Sequence, residues 1–175
     1  YYRFVHPEQK EPLKDYFSPN QLISAPKSKN LYFSKINYDF GNNFDKISNQ
    51  YSDREAIVSV HQDIRFTYKE LAEKVNELAK ALISSGFKKG DRIGIWSPNK
   101  VEWVITLFAS AKVGLILVNI NPAYRISELE HALNQVECKA LVTACSFKSS
   151  DYISMIKELA PEVSESPDKL LESAR

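Results

Sequence analysis

The sequence predicts an α/β fold: a parallel sheet with flanking helices in βαβαβ order, preceded by an irregular arm and a β-hairpin. Three observations carry this expectation. Strand-like and helix-like apolar patterns alternate from residue 53 to about residue 163. The run LILVN at 115–119 is continuously apolar, as in parallel strands covered on both faces. Capping sequences and turn residues punctuate the pattern at nearly every junction.

Taken in order, residues 1–50 are rich in Tyr, Asn, Ser, Lys and Pro, with irregularly spaced aromatics. They read as an extended amino-terminal arm with room for one short helix. In EAIVSV, the alternation of Ala56, Val58 and Val60 predicts a strand; His61-Gln62-Asp63 turns it, and Ile64-Arg65-Phe66 returns as the second arm of a hairpin. Thr67-Tyr68-Lys69-Glu70 is a capping box, because a threonine hydroxyl can accept the N–H three residues on while the glutamate reaches back. Leu71, Val75, Leu78, Ala79 and Leu82 share one helical stripe, and Gly86 sits where a helix ends in the left-handed conformation, so a helix is expected over about 68–85.

Gly90-Asp91 turns into a short strand at 92–96, and Ser97-Pro98-Asn99 opens a helix over about 100–112. That helix is apolar nearly all round, which places it inside the protein. Gly114 stops it before the strand at 115–119. Asn121-Pro122 turns again, and Ser127-Glu128-Leu129-Glu130 is read as a second capping box. A strand at 139–143 and a helix around Tyr152, Ile153, Ile156 and Leu159 complete the ordered region. Residues 166–175 form a polar segment. From 103 to 120 the chain is a largely apolar run with Lys112 as its single charge, long enough for a membrane span. A lysine at mid-bilayer would cost about 2.5–3.5 kcal/mol, and Gly114 with a β-branched run reads as helix stop and strand, so no span is expected.

Composition excludes several function classes. The chain has 175 residues, 23 basic against 22 acidic side chains and a net charge of +1, which removes the electrostatic argument for nucleic acid as a partner. Cys138 and Cys145 are too few for a disulfide framework and do not have a zinc spacing; they are expected as two buried thiols in a reducing compartment. His6, His61 and His131 are scattered, so no local metal motif is present. The five glycines, at 41, 86, 90, 94 and 114, lie too far apart for a glycine-rich phosphate loop. The first residue is Tyr1 and the single methionine is Met155, which predicts a fragment or a processed product; the opening stretch shows no signal or transit peptide.

Ligands in open α/β sheets bind beyond the carboxyl ends of the strands, which directs attention to two loops. Asn99 in the first, and Asn121, Tyr124 and Arg125 in the second, are the candidate ligand-facing residues. The competing reading is favoured: two turn-forming asparagines beside proline, a packed ring and a solvated charge. Glu128 and Glu130 are explained by a helix start. Ser84-Ser85-Gly86 is a helix end, not the strand-to-helix turn a nucleophile elbow needs. No catalytic, cofactor-binding or metal-binding residue is assigned.

The segments FTYKEL (66–71), GDRIGIWSPNKVEWV (90–104) and AKVGLILVNINPAYRISELEHALNQVECKALV (111–142) resemble the amino-terminal subdomain of the acyl-adenylate-forming, AMP-binding enzymes. This superfamily includes acyl-CoA synthetases, luciferases and peptide-synthetase adenylation domains. Two of its early motifs are present, the Thr-Tyr-x-Glu-Leu helix start and Lys-x-Gly at 112–114. SVHQDIRFTY, IWSPNKVEWV, NPAYRISELE and SFKSSDYISMIKELAPEV are most similar to medium-chain acyl-CoA synthetases of the family member 2 type, which are usually mitochondrial. The resemblance covers about 50–165 and makes 51–165 the amino-terminal part of an AMP-binding domain.

The resemblance implies a fatty acyl-CoA ligase: a carboxylate attacks the α-phosphate of ATP, pyrophosphate leaves, and the thiol of CoA then displaces AMP. ATP, Mg²⁺ and CoA are implied for the parent enzyme, with a fatty acid as its further partner; none is expected to bind this chain tightly. The family's Ser/Thr/Gly-rich loop ending in Pro-Lys, and its other phosphate-binding motifs, have no counterpart here and are expected beyond Arg175, so the chain alone is expected to be inactive. Two alternatives stay open: a truncated, non-enzymatic binding or interaction module, and a fragment of another adenylate-former of luciferase-like or coumarate-ligase-like type.

Overall fold

The computed structural model describes residues 2–4 and 40–164. An antiparallel sheet is built from β1 (Tyr2–Phe4), β2 (Glu55–Ser59) and β3 (Ile64–Thr67), with β2 in the middle. The hairpin is as expected, but its inward residues are not the predicted alternating set. A bulge shifts the register between Glu55 and Ile57. An extra residue flips the side-chain alternation downstream, so Ala56, Ile57 and Ser59 are buried, while Val60 stands 77% exposed at the turn. Within the arm read over 1–50, the one short helix it had room for is α1 (Phe40–Gln50); residues 5–39 of the arm and the polar segment 166–175 lie outside the described residues.

α2 (Tyr68–Ser84) starts at the predicted capping box. The Glu70 N–H donates to Thr67 Oγ1 at 3.2 Å and the Thr67 N–H donates to Glu70 Oε2 at 2.8 Å. The backbone N–H of Thr67, and then its hydroxyl, hold the Glu70 carboxyl below its ordinary range. Leu71, Val75, Ala79 and Leu82 are buried along one face, each such aliphatic side chain contributing about 1.5–3 kcal/mol where it is large. Gly86 has φ +85°, the left-handed conformation that ends the helix.

A second sheet is parallel, with β4 (Arg92–Trp96) between β5 (Ile116–Ile120) and β6 (Ala140–Thr143). α3 (Val101–Val113) connects β4 to β5, and α4 (Ile126–Gln135) connects β5 to β6. The register aligns Ile93 with Leu117 and Ala140, and Trp96 with Ile120 and Thr143. Because side chains alternate along a strand, the first set packs into one core with α1, α2 and α3. Trp96 and Ile120 pack on the other face with Leu129 of α4 and with Tyr152 and Met155 of α5 (Tyr152–Leu159). Gly94 faces this second core, where an added Cβ would lie 3.0 Å from Leu141 Cδ1 and 3.1 Å from Ile120 Cδ1.

β5 departs from expectation. It lies at the edge of the described sheet, not in its middle, so Ile116 is 50% exposed and Leu117 and Val118 are half-buried. An apolar run reports that a strand packs, but the order of strands decides which is the edge. The α4 start also differs. Arg125, not Ser127, is the residue before the helix, and its N–H donates to Glu128 Oε2 at 2.7 Å. β7 (Ser146–Phe147) and β8 (Ser150–Asp151) form a small ladder before α5. Asp151 caps that helix, accepting the Ser154 N–H at 3.0 Å.

The single charge of the apolar run has a structural use. Lys112, in the last turn of α3, donates to Asp45 Oδ1 of α1 at 2.6 Å and to Asn76 Oδ1 of α2 at 2.5 Å, joining three helices. Phe44 of α1 and Phe108 of α3 stack beside them at 4.1 Å between centroids. Among the described residues no helix is long and apolar enough to cross a membrane. Of the two cysteines expected to be buried, Cys138 is half-buried and Cys145 is exposed, because Cys145 lies in the connection between β6 and β7.

Candidate functional site

The carboxyl ends of β4, β5 and β6 lie level, since Trp96 pairs with both Ile120 and Thr143. The strand order β5-β4-β6 makes the connections leave this edge for opposite faces: after β4 toward the α1–α2–α3 core, and after β5 and β6 toward the α4–α5 core. This is the place where an open parallel sheet offers a crevice to a ligand.

The turn after β5 is built from its own side chains. Asn121 Oδ1 accepts the Ala123 N–H at 2.9 Å, and the Tyr124 N–H donates to the Asn121 carbonyl at 3.0 Å. Asparagine does this because its short amide mimics the next peptide group. Two aromatic side chains hold the same turn from beneath. The Trp96 indole N–H donates to the Asn121 carbonyl at 3.1 Å, and the Tyr152 hydroxyl donates to the Pro122 carbonyl. The two rings stack at 3.5 Å between centroids and 12° between planes, and both residues are fully buried. Burial pushes the Tyr152 phenol above its ordinary value, so the hydroxyl remains a donor to the Pro122 carbonyl.

The four candidate residues are placed as follows. Asn121, Tyr124 and Arg125 share this turn, with Asn121 exposed and forming the turn, and Tyr124 half-buried against the α4–α5 core. Arg125 is exposed and donates from Nη1 to Ser150 Oγ at 2.8 Å, which ties the turn to β8. Asn99 is exposed on the neighbouring connection after β4. Sequence reasoning missed Trp96 and Tyr152. An aromatic residue at the last position of a buried strand and another at the first position of a helix are the signals that mark them.

On the opposite, amino-terminal edge of the sheet, Asp91 pairs with Lys139 at 2.7 Å and Arg92 with Glu137 at 2.5 Å. Burial raises the Cys138 thiol above its ordinary value, opposed by the positive charge of Arg92. Among the described residues no three His, Cys, Asp or Glu side chains are grouped so that they could hold a metal ion. Gly86, Gly90 and Gly114, all at positive φ, serve turns. Among the described residues, then, no side-chain cluster of that kind is offered to Mg²⁺.

Residues 44–173 match the family of AMP-binding enzymes. The chain belongs to that family. Among curated AMP-binding relatives, bovine medium-chain acyl-CoA ligase ACSF2, mitochondrial, is 42% identical over 139 residues, covering 79% of this chain and 23% of its own length. The human protein of that name is 45% identical over 123 residues, covering 70% of this chain and 20% of its own length. The chain thus spans less than a quarter of the length of these relatives. Among solved structures, a fatty acyl-CoA synthetase from Mycobacterium tuberculosis matches with TM-score 0.58 and 25% identity, over 74% of this chain and 23% of that one. The N-terminal domain of FACL13 from the same organism matches with TM-score 0.59 and 23% identity, over 74% of this chain and 29% of that one, which shows the fold. The resemblance drawn from the residues, and the α/β class, are both borne out.

Proposed function

We propose that this chain is the amino-terminal part of a fatty acyl-CoA ligase that converts a medium-chain fatty acid, ATP and CoA to acyl-CoA, AMP and pyrophosphate. The observation that carries the reading is 42–45% identity to medium-chain acyl-CoA ligases within an AMP-binding family match. In the first step a carboxylate oxygen bonds to the α-phosphorus as pyrophosphate leaves. In the second the CoA sulfur bonds to the acyl carbon, AMP leaves and the thiol proton is lost. Mg²⁺, when bound, supplies charge neutralisation at the phosphates. We assign the groups that hold ATP, Mg²⁺ and CoA to the remainder of the enzyme and no catalytic residue to this chain. Its contribution is the sheet and the rim at the strands' carboxyl ends, against which the rest of the enzyme builds its site. A mitochondrial location is part of the proposal, supported by the names of the bovine and human relatives.

Exchange of labelled pyrophosphate into ATP tests the reading. The longer enzyme containing this sequence is expected to show exchange that depends on a medium-chain fatty acid, and residues 1–175 alone none. Fatty-acid-dependent exchange by the 175-residue chain, or its absence in the longer enzyme, would overturn it.

A further inference from the structure

We propose that Tyr152 and Trp96 are positioning residues that hold the turn at 121–124 in a fixed geometry for substrate binding. This rests on the function proposed above. Two successive backbone carbonyls, Asn121 and Pro122, are each held by a ring donor: the indole N–H at 3.1 Å and the phenol O–H. The two rings stack on each other at 3.5 Å, so neither can leave its carbonyl without disturbing the other. Both side chains are fully buried, at 0% exposure, and so their hydrogen bonds compete little with water. The residues that approach the turn come from β4 and from the first position of α5. The connection is therefore a rigid shelf on the candidate binding edge, with Asn121, Ala123 and Arg125 exposed from it.

A loop held in this way binds a ligand without first paying the entropy of ordering itself. Loss of the Tyr152 hydroxyl alone should loosen the turn while leaving the ring stack and nearly all of the core volume intact. Such a change weakens binding before it alters chemistry, and so separates a positioning role from a stabilising one.

The test uses Tyr152→Phe, which removes the donor and keeps the ring, and Trp96→Phe, which removes the indole donor together with part of the buried ring. In both variants of the 175-residue chain, hydrogen exchange at the Ala123 and Tyr124 amides is expected to rise at least fivefold, with the amides of α2 unchanged. In the longer enzyme carrying Tyr152→Phe, the KM for the carboxylic acid or for ATP is expected to rise at least threefold with kcat within twofold. Unchanged exchange at 123 and 124 overturns the clamp. Faster exchange with unchanged KM overturns the positioning role. A wild-type longer enzyme with no acid-dependent exchange of pyrophosphate removes the functional reading itself, and with it this inference.

Discussion

Gln62 caps α3 from a distance: its side-chain Oε1 accepts the Val101 backbone N–H at 2.8 Å, across 39 positions of sequence. Lys100, the residue before the helix, makes no capping hydrogen bond of its own. The same oxygen accepts the hydroxyl of fully buried Ser59 at 2.8 Å, and Gln62 Nε2 donates to Glu102 Oε2 at 2.9 Å. The hairpin turn is therefore fastened to the start of the helix that follows the first parallel strand.

Gln62→Ala should destabilise the chain by about 2 kcal/mol. Loss of a cap costs about 0.5–2 kcal/mol, and the buried Ser59 hydroxyl loses its 2.8 Å acceptor as well, leaving His61 Nδ1 at 3.4 Å. Urea denaturation followed by circular dichroism measures the change. A shift under about 0.5 kcal/mol would show that water replaces the glutamine at no cost.

Gly41→Ala, in the first turn of α1, should destabilise by about 1–3 kcal/mol through overpacking. In an exposed helix interior the same change would stabilise by up to about 1 kcal/mol. Here an added Cβ would sit 2.9 Å from the Lys112 Cα and 3.2 Å from its backbone N, and backbone cannot swing aside as a side-chain tip can. Thermal unfolding of the two proteins decides the sign: a higher midpoint in the variant would contradict the close approach of α1 to α3.

Asp91 predicts a pH dependence. The Lys139 ammonium, and then the Lys88 backbone N–H, lower its carboxyl below the ordinary value of about 3.9. A depressed folded-state value means that the contribution is complete above the unfolded value and is lost as pH falls through the folded one. The stability difference between wild type and Asp91→Asn should thus stay constant from pH 7 to about 5 and shrink below about pH 4. Urea midpoints for both proteins across that range measure it. A gap independent of pH down to 2 would exclude the charged carboxylate as the origin.

Local signals in the sequence carried the α2 helix and the succession of helices and parallel strands along the chain. The Thr67 and Glu70 pair caps through atoms three residues apart, and Gly86 and Gly114 adopt left-handed angles at helix ends, so each signal is complete within one turn of chain. The inward set of β2 and the exposure of β5 were not legible. A bulge reverses side-chain alternation without a distinctive residue, and an edge position depends on which strands lie alongside. At the candidate site, Asn121 was legible as a turn former because its amide bonds locally. The clamp was not, because Trp96 and Tyr152 lie 25 and 30 positions from the carbonyls they hold.

The sequence by itself determined the α/β class, the segments that become β2 to β6 and α2 to α5, and the family. Each of these rests on periodicity, capping chemistry or a long stretch of shared residues, all of which are properties of neighbouring positions. Only the tertiary structure decided that Lys112 joins three helices, that Gln62 caps α3 and that two stacked rings hold the turn at the sheet's carboxyl edge. Those contacts form between residues far apart in the chain, and packing alone brings their donors within reach of their acceptors.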